Sequence, residues 1–478
     1  MSRNPKALPV LVVDLDGTLL RSDMLHETFW ASASRDWRLA LSSIGRLTRG
    51  RLALKMFLAN QVEMDVTTLP YDKAILDLIL AHRKAGGKTA LVSATEQGLV
   101  RRIAKHLGLF DEAYGSNSQT NLKGTKKRAF LEQLYGDRGF IYAGDSMADL
   151  EVWKGAKEII TVNATRTVKR RAERIGQPVQ HITGSLNTPN DLLRALRPHQ
   201  WLKNALIFVP IFASHQLEVK TISAGIIAFV GFCLIASSVY VLNDLLDLSA
   251  DRTHPRKSSR PFASGALSPA KGIVIFPTLL LAGMTVSLFV SWLFTLVMTL
   301  YFFMTCAYSF SLKRQIGVDI CTLSILYTMR MIAGGVATDI SISSWLLVFA
   351  LFFFFAMAAM KRQGELVDMA RRNMLGASGR GWIVDDLQVL NAAVLTSGYL
   401  SVLVLALYVN SEEVRLLYSY PSALFGVCTI LFYWITRAEL LTNRGQMHDD
   451  PIVFATKDRI SHCCLIGITA LIIGGATL

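Results

Sequence analysis

The first 232 residues contain no cysteine; all six fall later, at Cys233, Cys306, Cys321, Cys428, Cys463 and Cys464, and none forms a C-x-x-C pair. No cysteine metal site is therefore expected, and the cysteine-free part is compatible with a reducing compartment. A secretory leader is also not expected, because the apolar run in "MSRNPKALPVLVVDLDGTLL" is too short and too acidic for one. Acidic residues are the scarcer charge, 36 against 50 Lys and Arg, for a net charge of +14. Such an excess fits a nucleic-acid partner only if it forms a basic face, and here it is spread through short loops between apolar runs. No nucleic-acid partner is expected.

The 478 residues, 51% of them hydrophobic, are unevenly composed. Up to Thr165 the chain reads as a soluble α/β protein. Beyond Asn204 it becomes a series of apolar runs, such as 221–242, 343–360, 391–408 and 463–478, close to the roughly 20 residues a helix needs to cross a bilayer. With about nine spans the inside loops carry Arg252, Arg256, Lys257, Arg260, Lys313, Arg314, Lys361, Arg362, Arg371, Arg372, Arg380, Arg437 and Arg444. The outside loops hold little beyond Lys220 and Arg415, which is the positive-inside bias. The expected location is a bacterial-type inner (plasma) membrane, multi-pass, with the soluble domain cytoplasmic.

Within the soluble part, "PVLVVDLDGTLL" reads as a buried parallel strand that delivers Asp14 and Asp16 to its carboxyl end. "KTALVSAT" delivers Ser93, and "GFIYAGDSMADL" delivers Asp145, with Asp149 four residues on. "NLKGTKKRAFLEQL" opens a helix with Lys123, Lys126 and Lys127 near its start. Any one of these is often a helix cap or turn. Together, four acids, a hydroxyl and a lysine suit magnesium-dependent phosphoryl transfer: hard oxygens for the metal, a nucleophile, and a cation for the phosphate.

With all four motifs in order, residues 8–164 resemble the haloacid dehalogenase superfamily of phosphatases. The resemblance implies a Rossmann-like α/β fold in which Asp14 attacks phosphorus and Asp16 acts as general acid and base. It implies that Ser93 bonds the phosphoryl oxygens and a lysine neutralises them. Lys127 fits best by its K-x-x-x-L spacing, with Lys123 and Lys126 still open. Mg²⁺ would be held by Asp14, the carbonyl of Asp16, and Asp145, with Asp149 in support. The helical insert at 22–71 resembles this family's cap; it either simply covers the site or rests Trp30, Trp37 and its arginines on the bilayer surface. Residues 165–196 read as a basic linker near anionic headgroups.

Asn243, Asp244, Asp247 and Asp251 end an apolar run at near-helical spacing, which puts the three acids on one face. Like charges so placed repel and oppose the helix dipole unless cations sit among them. They are expected to bind Mg²⁺, with Arg252, His254, Lys257 and Arg260 meeting phosphate oxygens; a magnesium diphosphate is the natural ligand. N-D-x-x-D-x-x-x-D followed by H-P-x-K-x-x-R-P resembles the UbiA-type intramembrane prenyltransferases over 197–478. The resemblance implies an all-α domain of nine transmembrane helices around a cavity, with Asp244 and Asp247 catalytic. The second family motif, D-x-x-x-D, is missing: four residues after Asp319 stands Leu323.

"RPHQWLKN", "AYSFSLKRQIGVD", Lys361-Arg362 with Glu365, and "HDDPIVFATKDR" are similar to the decaprenyl-phosphate phosphoribosyltransferase branch. That branch implies phosphoribosyl pyrophosphate as donor and a polyprenyl phosphate lipid as acceptor. Tyr308, Lys313 and Arg330 are then the candidate phosphate contacts, ahead of Lys203, Lys361 and Arg362. Asp449, Asp450 and Asp458 either complete the site or pair with Arg444, Lys457 and Arg459. The two halves together suggest a bifunctional enzyme that makes a lipid-linked 5-phosphoribose and then removes its 5-phosphate. The alternative is prenyl transfer from a prenyl diphosphate to an aromatic acceptor beside a regulatory or independent phosphatase domain.

Overall fold

The computed structural model describes residues 8–47, 51–61, 64–117, 120–184, 188–373, 381–447 and 450–477. Contacts divide the chain into two units, Met1–Leu196 with Tyr240–Phe276, and Arg197–Val239 with Pro277–Leu478. The acidic motif and the loop after it, within Tyr240–Phe276, are thus grouped by contacts with the first unit.

In the first unit, β1 (Val10–Val13), β2 (Thr89–Glu96), β3 (Glu112–Ser116), β4 (Phe140–Gly144), β5 (Glu158–Val162) and β6 (Val179–Ile182) form one sheet in the order β3-β2-β1-β4-β5-β6. All neighbours are parallel, and Val13 stands between Leu91 and Ala143. Leu11 and Val13 enter one core with Leu15, Ile75 and Val100, while Val12 enters another with Leu131, Tyr142 and Trp153. Covering both faces is why these strands read as unbroken apolar runs. The chain runs outward to β3 and then restarts on the other side of β1 at β4. The carboxyl end of β1 is thus the point where strand order reverses, the usual place for a site in an open α/β sheet.

Between β1 and β2 lie α1 (Met24–Arg35), α2 (Trp37–Leu47), α3 (Arg51–Gln61) and α4 (Lys73–Lys84), the first three being the expected helical insert. Trp30 is buried and packs edge-to-face on Phe29, so it is not a bilayer contact; the Trp37 side chain lies outside the described residues. After β2 come α5 (Gln97–Leu107), α6 (Thr125–Tyr135), α7 (Leu150–Trp153), α8 (Arg166–Glu173) and α9 (Pro189–Leu196). The described residues of the stretch expected as a linker supply α8, the sixth strand and α9. It hid because β6 is an edge strand with Gln180 and His181 exposed, so it shows no apolar run. In α8 only Val168 and Ala172, four apart, are buried.

The rest of the chain contains α10 (Val209–Ala213), α11 (Val219–Leu246), α12 (Leu248–Thr253), α13 (Pro269–Val290), α14 (Trp292–Phe310), α15 (Val318–Thr338), α16 (Ser344–Arg371), α17 (Leu387–Val409), α18 (Glu412–Leu417), α19 (Leu424–Asn443), α20 (Pro451–Ala455) and α21 (Arg459–Thr477). Among the described residues eight helices are long and apolar enough to cross a bilayer: α11, α13 to α17, α19 and α21. That is one fewer than the nine expected. Pro198–Phe208 is a 3-10 helix that passes into the five-residue α10, with Pro210 in its first turn, so no single helix of spanning length forms there. The protein is a multi-pass membrane protein. Close backbone approach in its second unit uses small residues: a Cβ on Gly334 of α15 would lie 2.0 Å from the Ile207 carbonyl oxygen.

Candidate active sites

At the carboxyl end of β1, Asp14 accepts a hydrogen bond from Lys127 Nζ at 2.8 Å. Lys127 also donates to the Val92 carbonyl at 3.2 Å and the Tyr142 hydroxyl at 2.9 Å. Lys127 is buried while Lys123 and Lys126 are exposed, so of the three only Lys127 reaches this cluster. Its position follows from α6, whose buried residues are Lys127 and Leu131, the K-x-x-x-L pair. Asp14, Asp145 and Asp149 bring carboxylate oxygens within 4.8 Å of one another. Asp149 is held by the Tyr142 hydroxyl at 2.8 Å and by Ser146. Gly17, with φ +75°, makes room for Asp145: a Cβ there would lie 2.3 Å from its Oδ2.

Asp16 accepts from the Met24 N–H at 2.8 Å and from the Thr95 hydroxyl at 2.8 Å, and Lys55 Nζ of the cap stands 3.9 Å away. Ser93 is fully buried beside them, its Oγ accepting from the Thr95 N–H at 3.0 Å. Thr95, Tyr142 and Lys55 were not foreseen. Thr95 was findable, because two residues along a strand from Ser93 puts it on the same face. Tyr142 was a polar ring in an otherwise apolar buried strand. Lys55 carries no signal, since the fold of the insert alone brings it near Asp16.

Burial pushes the Asp14 carboxyl up, against the pull of Lys127. Burial, then the charge of Asp23, takes Asp16 to about 7. Burial, then Asp149 and Asp14, takes Asp145 to about 8. Burial by itself would lower Lys127, but Asp14 and Asp149 outweigh it and hold the ammonium charged. Among the described residues the buried Lys127 and the partly buried Lys55 face four acids, so the cluster is short of positive charge. A hard divalent cation such as Mg²⁺ fits that donor set.

The second acidic group lies where α11 passes into α12. Arg260 donates to Asp244 at 3.2 Å and to Asp251 at 2.5 Å, so the expected counter-cation within the motif is this arginine. Asp247 sits at the junction, its N–H donating to the Asn243 carbonyl at 2.9 Å. Asn243 Oδ1 is buried without a hydrogen-bond partner among the described residues. An orphaned amide oxygen suits a hard cation with oxygen ligands, but among the described residues Asp244, Asp247 and Asp251 are not a group of carboxylates within 4.8 Å of one another as Asp14, Asp145 and Asp149 are. Arg252 turns away from the acids to Glu27, and His254 Nδ1 accepts from the Arg256 and Lys257 N–H groups at 3.2 and 3.4 Å.

In the second unit Tyr308 Oη accepts from Arg362 at 2.7 Å. Arg362 is 1% exposed, bonds Asp319 at 2.6 Å and Glu365 at 2.6 Å, and Trp382 completes Asp319 at 3.0 Å. Arg330 spends donors on Asn204 Oδ1 at 3.1 Å, the Leu326 carbonyl and Tyr301 Oη at 3.1 Å, and lies over the rings of Phe232, Tyr301 and Tyr327. Lys313 is half-buried in a short 3-10 turn. Asp450 does not pair with Arg444, Lys457 or Arg459; it takes Lys203 at 2.7 Å and Lys361 at 3.1 Å. Asp458 pairs with Arg437 at 2.8 Å. Asp449 and Arg380 lie outside the described residues.

An acid-rich phosphoryl-transfer site on a parallel sheet, joined in one chain to a helical membrane domain, defines a two-part membrane enzyme. The chain belongs to a family that fuses these parts: the haloacid dehalogenase-like hydrolase family matches residues 11–154, and the UbiA prenyltransferase family matches residues 206–440. Uncharacterized protein y4nM of Sinorhizobium fredii is 36% identical over 454 residues, 94% of this chain and 88% of that protein. Nodulation protein NoeC of Azorhizobium caulinodans is 33% identical over 277 residues, 57% of this chain and 89% of that protein. Decaprenyl-phosphate phosphoribosyltransferase of Mycobacterium tuberculosis is 41% identical over 184 residues, 37% of this chain, and the match spans 60% of that protein.

Proposed function

We propose that the chain transfers 5-phosphoribose from phosphoribosyl pyrophosphate to a polyprenyl phosphate and then hydrolyses the 5-phosphate, leaving polyprenyl-phosphoryl-ribose. The observation that carries this reading is the pairing, in one polypeptide, of a decaprenyl-phosphate phosphoribosyltransferase-like stretch with a phosphomonoesterase-type cluster. The product of the first reaction holds the bond that the second breaks.

In the transfer, the bond from ribose C1 to pyrophosphate breaks and one from C1 to a lipid phosphate oxygen forms. Asn243, Asp244, Asp247 and Asp251 would hold Mg²⁺, which when bound neutralises charge on the departing pyrophosphate. Lys257 and Arg260 bind its oxygens, Arg260 exchanging its carboxylate partners for phosphate. In the second unit Lys313 is the proposed phosphate cation. Tyr308 already accepts from Arg362, so only its own hydroxyl proton is available to a phosphate; Arg330 would have to release protein acceptors. Asp319, where a second acidic motif would begin, is committed to Arg362 and Trp382, which speaks against a second metal–diphosphate centre there and so against prenyl transfer.

In the hydrolysis, an Asp14 carboxylate oxygen attacks phosphorus, and Asp16 gives its proton to the departing ribose oxygen. Asp16 then takes a proton from the water that cleaves the aspartyl phosphate. Ser93 and Lys127 hold the phosphoryl oxygens, and Asp14, the Asp16 carbonyl, Asp145 and Asp149 would hold Mg²⁺. The test is competition. Full-length enzyme should move label from phosphoribosyl pyrophosphate onto decaprenyl phosphate, and Asp251→Asn should reduce it at least 100-fold. Label transfer instead from a prenyl diphosphate to an aromatic acceptor would replace this reading.

A further inference from the structure

One buried ion pair has no part in either reaction. Glu27, in the first turn of α1, accepts at both carboxylate oxygens from Arg252, each at 2.8 Å, and the two side chains are 2% and 4% exposed. Ser22 also bonds Glu27, and the third Arg252 nitrogen, Nε, donates to the Ala263 carbonyl at 3.1 Å. Both residues lie in the first unit. Taking two charges out of water is costly unless a two-point fork and further hydrogen bonds compensate. All of these are present, so the pair fixes one geometry.

The geometry ties two functional segments together. Arg252 directly follows Asp251 in α12, and its Nε bond to Ala263 closes the turn that carries Lys257 and Arg260. On the other side, α1 begins at Met24, whose N–H donates to Asp16. The basic loop after α12 also packs closely on the base of the cap: a Cβ on Gly265 would lie 2.9 Å from Arg21 Cβ and 2.9 Å from Pro70 Cβ. Arg194 holds the Ser259 carbonyl at 2.8 Å.

We infer that Glu27, a residue of the phosphatase cap, is a positioning residue for the transferase, setting through Arg252 the loop that presents Asp244, Asp251 and Arg260 to the donor. The inference rests on the phosphoribosyl-transfer reading. It explains why the two activities share a chain: without Glu27 the diphosphate loop loses its fixed anchor. Arg252 then keeps a buried charge with no carboxylate opposite.

The test uses full-length enzyme in detergent with Mg²⁺, phosphoribosyl pyrophosphate and decaprenyl phosphate. Glu27→Gln and Arg252→Gln should each raise KM for the donor at least 10-fold with a smaller change in kcat. Amide exchange across residues 248–253 should quicken at least 10-fold while β1 stays protected. The exchanged pair Glu27→Arg with Arg252→Glu should recover most of both effects. Arg252→Lys, which keeps the charge but not the fork, should move both readouts in the same direction by about 3-fold. Wild-type KM and exchange in Glu27→Gln or in Arg252→Lys overturns the inference, as does loss of protection throughout β1 in every variant with no rescue. A wild-type enzyme that transfers no phosphoribose counts against the reaction instead, and the exchange data then decide the anchoring on their own.

Discussion

Replacing Lys127 by methionine removes the one buried cation of the phosphatase cluster at nearly constant volume. At 2.8 Å from Asp14 and an effective dielectric near 20, the gross attraction is about 6 kcal/mol. Desolvation of two buried ions costs several kcal/mol each, so the pair's net worth is far smaller than that figure. Breaking it is still expensive, roughly 3–5 kcal/mol, because Asp14 and Asp149 stay buried without the ammonium. Part of this is recovered because burial already favours the protonated form of Asp14. A bound divalent cation recovers more. The variant should therefore melt several degrees lower in chelator, with the gap narrowing in Mg²⁺. Turnover suffers in either condition, since a fixed positive charge facing the phosphoryl oxygens is worth about 10²–10³ in kcat. The assay is p-nitrophenyl phosphate hydrolysis at saturating Mg²⁺, with the exposed Lys126→Met as control. A Lys127→Met enzyme within threefold of wild-type kcat would refute the assignment.

Two further outcomes follow from the same geometry. Asp16 at about 7 and Asp145 at about 8 bind protons more tightly folded than unfolded. In chelator the first unit should therefore lose stability as pH rises from about 4 toward 8, and Mg²⁺ should cancel the trend. Phosphatase kcat should fall above pH about 7 as Asp16 loses its proton, a limb absent in Asp16→Asn; a flat thermal-melt profile or an unchanged limb contradicts this. In the second unit, Asp319→Leu strips Arg362 of its 2.6 Å partner at full burial, which should cost roughly 3–5 kcal/mol. Detergent-purified protein should show a lowered melting temperature, whereas a melt equal to wild type would mean the network is not structural.

The phosphatase cluster was legible because its groups sit at the ends of strands, where an apolar run stops at a polar residue. Lys127 was separable from its neighbours by one spacing into a helix. The sixth strand was not, because an edge strand pairs on one side only and keeps Gln180 and His181 in solvent. The spacing of Asp244, Asp247 and Asp251 suggested a shared face, but the partner Arg260 and the turn of Arg252 toward Glu27 depend on where the following loop folds. Local spacing says nothing of that. The same holds for Asp319 with Arg362, 43 residues apart, and for Asp450 with Lys203, 247 apart. Tertiary packing chose those partners.

The central claim is that one chain builds a lipid-linked 5-phosphoribose and removes its phosphate. Mass spectrometry of lipids made by the full-length enzyme from phosphoribosyl pyrophosphate and decaprenyl phosphate tests it most directly. Wild type should yield decaprenyl-phosphoryl-ribose, and Asp14→Asn should stop at the 5-phosphate form. The same dephosphorylated lipid from Asp14→Asn, or the 5-phosphate lipid persisting with wild type, would contradict the account.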